Sequence, residues 1–206
     1  MKKIKLVLLV CAIFSAILLA GCRQACVSNK GNPVVHSALD GSDNKKQDDG
    51  GYYLITEENG LFSYTIYDEK MNAVRAEDNL TKRPEISMVS DCVISVTEQA
   101  GTGIATSFTY YYDVENNRFS NTYQGVFDQR DDLVIYATYD KVIIRDIFID
   151  DGYYQEISTF CAPFSPAAFP FINAEFVDDT SSVRITYFSG TEYEEVSELF
   201  ELVRMG

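Results

Sequence analysis

Five carboxylate pairs, Glu57-Glu58, Asp131-Asp132, Asp150-Asp151, Asp178-Asp179 and Glu194-Glu195, are the side chains of this sequence best suited to chemistry. Two neighbouring carboxylates can cleave a glycosidic bond or hold calcium. Adjacent residues on a strand point to opposite faces, however, and every pair falls where the pattern predicts a turn. Solvated turn residues are the expectation. The run Asp146-Ile147-Phe148-Ile149-Asp150-Asp151-Gly152 comes nearest to a calcium loop, but its bulky apolar residues suit a strand entering a turn.

The sole histidine, His36, lies in a polar stretch with no fixed partner to orient it, so the folded domain holds no His-based triad or His metal site. The sequence contains no Gly-rich phosphate loop, nucleophile elbow or Cys-x-x-Cys pair. The expectation is a non-enzymatic protein with no catalytic residue, cofactor or metal. A surface hydrolase using paired carboxylates is the alternative.

Aromatic residues are frequent, 14 Tyr and 13 Phe, and Trp is absent. Tyrosine-rich surfaces suit protein contacts, most such rings pair across strands, and the missing Trp weakens a sugar-stacking platform. The uncharged stretch 160–171 holds three of the five prolines and the four phenylalanines Phe160, Phe164, Phe169 and Phe171. Proline removes ladder donors, so an extended connection is expected here rather than a central strand. Its phenylalanines either cap the core or form an interaction loop for another surface protein.

The first residues fix where all of this acts. Lys2, Lys3 and Lys5 precede a 15-residue apolar run, 6–20, and Gly21 and Cys22 follow it. A charged start, a short apolar core and a small-residue cleavage site make a signal peptide. A membrane-spanning helix needs about 20 apolar residues. Leu19-Ala20-Gly21-Cys22 resembles the lipobox of bacterial lipoproteins. That resemblance implies lipidation at Cys22, palmitate among the acyl chains, and attachment to the cell membrane on its extracytoplasmic face.

Without residues 1–21, which carry three lysines and no acids, 14 basic side chains face 31 acidic ones, a net charge of −17. Nucleic acid is excluded as a partner, because binding it relies on clustered Lys and Arg. The expected organisation is a signal peptide at 1–21, a lipidated cysteine and flexible tether at 22–50, and one domain at 51–206. Cys92 alternates with Ile94 and Val96 and reads as a buried free thiol. A Cys92–Cys161 disulfide, which export would allow, is the other reading.

From Tyr52 the chain becomes short Tyr-, Phe-, Val-, Ile- and Thr-rich segments between Asp, Asn and Gly, the pattern of strands and turns. Alternation predicts half-buried strands at 61–67, 107–113 and 183–187. Four hairpins share an aromatic strand end and a polar, mostly acidic turn. Their markers Tyr67, Tyr112, Phe148 and Phe188 lie 45, 36 and 40 residues apart. The fold class expected is all-β, an antiparallel meander of hairpins forming a sandwich, a barrel or a small incomplete propeller. Residues 196–203 read as a closing strand, with a helix as the alternative.

Overall fold

Short strands separated by polar turns pair most readily with the segment just before or after them. The computed structural model describes residues 46–49, 51–158, 169–177 and 181–203, and it follows that rule. The first sheet is the meander β1 (Lys46–Asp49), β2 (Tyr53–Glu58), β3 (Leu61–Tyr67) and β4 (Ala73–Leu80). The second runs β5 (Glu85–Met88), β6 (Val93–Gln99), β7 (Ser107–Asp113) and β8 (Arg118–Phe119), and β9 (Tyr123–Gln124) also pairs with β7. The third is β10 (Val126–Arg130), β11 (Leu133–Ala137), β12 (Val142–Asp146) and β13 (Tyr154–Ile157). The fourth is β14 (Phe171–Val177), β15 (Ser182–Ser189) and β16 (Glu194–Glu201). The protein is all-β and antiparallel, built as open meanders with no closed barrel among the described residues.

Each of the four hairpins seen in the sequence closes one of the four sheets, joining β3 to β4, β7 to β8, β12 to β13 and β15 to β16. The acidic turns have a physical cause in the first three. Asp68 accepts from the backbone N–H of Lys70 and Asn72 at 2.9 and 2.8 Å, Asp113 from Asn116 at 3.0 Å, and Asp146 from Tyr153 at 2.6 Å. An aspartate at the strand end thus satisfies turn donors that have no ladder partner.

The sheets pack in chain order. Ile55, Tyr64 and Ile66 of the first meet Ile86, Ile94, Val96, Tyr110 and Tyr112 of the second. Tyr111 and Tyr123 of the second meet Val134 and Ile147 of the third sheet's segment. Ile135, Val142 and Ile144 of the third meet Ala174, Phe176, Val183 and Ile185 of the fourth.

Several expectations need correction. The first sheet begins at Lys46, inside the stretch 22–50 read as a tether, because an edge strand needs only backbone hydrogen bonds and polar residues supply these as well as apolar ones. β7 is not half-buried: Tyr110 and Tyr112 face the first sheet while Thr109 and Tyr111 are buried on the opposite face. Cys92 is not a free thiol on the inward face. It precedes β6 and is disulfide-bonded, to a partner outside the described residues. The closing strand expected at 196–203, by contrast, is present as β16, 194–201, since Val196 and Phe200 pack inward opposite Tyr187 and Val183.

Candidate functional site

The second sheet alternates two kinds of residue. Ile86, Ile94, Val96, Tyr110 and Tyr112 point to the first sheet, and Ser87, Ser95, Thr97, Thr109 and Tyr111 point the other way. Such a hydroxyl-rich face ordinarily meets water. Here the third sheet stands over part of it.

The two sheets are joined by a strand that changes sheet. β9 pairs with β7, β10 pairs with β11, and Gly125 between them donates to the Ser107 carbonyl at 3.1 Å and accepts from Ala137 at 3.3 Å. Gly125 has φ +67°, and a Cβ there would sit 3.4 Å from the Ala137 carbonyl and 3.7 Å from Phe169. Only glycine turns this corner without strain.

On one side of the corner the interface is closed and apolar, with Tyr111, Tyr123, Val134 and Ile147 packed against Val93, Val126 and Tyr136. Tyr123 donates to the Ile147 carbonyl at 2.6 Å. On the other side the sheets part and leave a groove of about 690 Å³. That volume is in the range of ordinary small-ligand sites.

The floor of the groove is the hydroxyl face of β6 and β7. Thr97 and Thr109 sit directly opposite each other with their hydroxyl oxygens 2.8 Å apart, and Ser95 is paired with Tyr111. Ser107 donates to the Ile104 carbonyl at 2.6 Å. The far wall is β10. There Asp128 lines the groove, but both its oxygens are engaged, accepting from the Gln129 and Phe176 amides at 2.8 and 2.9 Å. That second bond, with Arg130 donating to the Phe176 carbonyl at 3.0 Å, staples the third sheet to the fourth. At the rim Lys82 donates to the Gly101 carbonyl, while the side chains of Glu85 and Gln99 bond no protein group.

Tyr111 distinguishes this groove. The residue is 1% exposed and lines the groove, its hydroxyl bonds none of the described residues and opens to the groove, and its backbone N–H is taken by Ser120 at 2.8 Å. Burial, the neighbouring Tyr123 and the Asp128 charge push the phenol up well above its ordinary value, so it stays neutral and keeps its proton to donate. The other buried tyrosines behave differently. Tyr110 donates to Tyr64 at 3.0 Å, and Tyr64 donates to Glu98 at 2.5 Å. Arg75 lies 4.0 Å over the Tyr110 ring. Tyr110 is pushed up to about 12 and Tyr64 further, in both cases mainly by burial.

The residues singled out in the sequence lie elsewhere. Cys22, Phe160 and Phe164 are outside the described residues. Phe171 is buried in the core, and Phe169 packs half-buried against Phe127 and Phe171, with ring centroids 6.1 and 5.7 Å away. Both rings serve to cap the core where the third and fourth sheets meet, and Phe171 has no free surface to offer a partner. Of the carboxylate pairs, Asp178-Asp179 is outside the described residues and none of the other four lines the groove. Glu57 lies within β2, and Glu194 and Glu195 lie within β16 rather than in turns. Among the described residues no group of three His, Cys, Asp or Glu is placed to hold a metal.

No family model and no curated protein matches the chain. Solved structures similar to it include a crystal structure of Kluyvelomyces marxianus Hsv2, 10% identical, covering 82% of this chain and 50% of that chain at a TM-score of 0.37. Kluyveromyces lactis Hsv2 is 9% identical, covering 80% of this chain and 74% of that chain at a TM-score of 0.29. The chain thus spans half the length of the first. Both likenesses are too remote to identify a shared function.

Proposed function

We propose that this chain is an extracytoplasmic lipoprotein, held to the cell membrane through Cys22, whose domain binds a partner molecule rather than transforming one. The groove between the second and third sheets is its binding site. One observation carries this reading: the Tyr111 ring is buried and lines the groove, while its hydroxyl bonds none of the described residues and is open to the groove. Among the described residues no buried side-chain polar atom lacks a partner, so this hydroxyl opens to the groove, where a ligand that donates and accepts can bond it. The four successive meanders, packed first to second, second to third and third to fourth, favour an incomplete, propeller-like arrangement in which such a groove opens between two blades.

Anchoring follows from lipidation, since a single acyl chain holds only weakly and a cysteine bearing several holds firmly. Cys22→Ser is expected to release the protein from membranes. A variant that still sediments with membranes after a high-salt wash would remove the anchor from this reading.

A further inference from the structure

We propose that the groove between the second and third sheets takes an uncharged saccharide, recognised by hydroxyl groups on its floor. The inference rests on the groove being the binding site and goes on to name what it binds. Its floor is made of side chains that both donate and accept: Ser95, the facing pair Thr97 and Thr109, and the unbonded phenol of Tyr111, with the free amide of Gln99 beside them. A ligand able to answer such a surface must itself donate and accept at closely spaced points, as the hydroxyls of a sugar ring do.

The other classes fit poorly. An extended peptide docks on a free, regular strand edge, whereas β6 on the floor is paired on both sides, by β5 and β7, and the edge strand β10 on the far wall is broken by a bulge between Val126 and Asp128. Pockets for peptide side chains are scarce as well, because the apolar lining is limited to Ile104, Val126 and Phe127. An anion meets Glu85 and Asp128 in a strongly acidic protein, and the lysine at the rim, Lys82, already donates to a backbone carbonyl. A metal lacks a ligand cluster among the described residues. Trp is absent from the chain, so recognition here rests on hydrogen bonds, with Ile104 and Val126 among the few apolar residues that line the groove.

The test is a calorimetric titration of the full chain in detergent with maltotriose, cellotriose, mannotriose and chitotriose, alongside an acidic oligosaccharide and an uncharged tripeptide. The expected result is saturable binding of at least one neutral trisaccharide with a Kd of about 1 mM or tighter. Tyr111→Phe and, independently, Thr97→Val should each weaken it roughly five- to tenfold. Tyr154→Phe, at an exposed tyrosine on β13 away from the groove, should leave it unchanged. Binding of the tripeptide or the acidic sugar alone would overturn the saccharide assignment and leave a binding groove in place. Saccharide binding that neither groove variant weakens would overturn the site. No binding of any probe would overturn the saccharide and the binding role together.

Discussion

The second sheet is covered on both faces, and the two coverings differ in what they do with tyrosine. Toward the first sheet, Ile86, Ile94 and Val96 form a closed apolar layer with three buried tyrosines, of which Tyr110 and Tyr64 form a chain to Glu98 and Tyr112 donates to Asn117 at 2.9 Å. Toward the third sheet, the same strands present serine, threonine and Tyr111, and the covering is partial. The first face satisfies every polar group it buries and gains stability. The second turns one phenol, bonded to none of the described residues, toward the open space of the groove. A single strand, β7, serves both, because period-two alternation lets Tyr110 and Tyr111 answer to different neighbours.

The broadest test of the difference is alkaline pH, which acts on both faces together. Tyr110 and Tyr123 are pushed up from 10.0 to about 12, mainly by burial. The folded state therefore retains protons that the unfolded chain releases. The stability linked to these groups is complete below pH 10, falls as pH rises past it, and is lost through pH 12. Tyrosinate absorbance should rise in two stages, the exposed tyrosines first and the buried ones together with unfolding. A single smooth titration near pH 10 would mean that the faces are not closed to water.

Single substitutions then separate the faces. Ile94→Ala, at a fully buried position of the apolar layer, should lower stability by about 2–5 kcal/mol in denaturant unfolding. A loss below that range would show that the layer toward the first sheet is loosely packed. Gly125→Ala, at the corner between second and third sheets, should cost about 1–2 kcal/mol, because a side chain at φ +67° is strained. A neutral result would mean that the corner can relax and that the width of the groove is not fixed by the backbone.

Much of the fold is legible in the sequence, and the site is not. Strands at 61–67 and 107–113 and the four hairpins follow from alternation and, in three of the hairpins, from aspartates at strand ends, which are local signals. What escapes is whatever depends on a second sheet. The alternation Val93-Ile94-Ser95-Val96-Thr97 marks one polar face, and such a face is ordinarily solvated. Nothing local in Ser95, Thr97 or Tyr111 announces that the third sheet arches over it. Cys92 is a similar case: its alternation with Ile94 suits an inward thiol, but it lies one residue before β6, half-buried and disulfide-bonded. The phenylalanines of 160–171 drew attention as an uncharged patch, yet Phe169 and Phe171 are apolar because they cap a core.

The most direct measurement compares two hydroxyl deletions in one protein. Tyr64 and Tyr111 are each 1% exposed, and each can be changed to Phe without altering the ring. Tyr64→Phe strands the Tyr110 hydroxyl and takes the donor from Glu98, and a loss of about 1–3 kcal/mol is expected in denaturant unfolding. Tyr111→Phe removes a hydroxyl that bonds none of the described residues, so stability should be unchanged or slightly raised. That result would reserve the Tyr111 hydroxyl for a molecule from outside. Equal losses from the two variants would place the Tyr111 hydroxyl in the protein's own bonding and contradict the site.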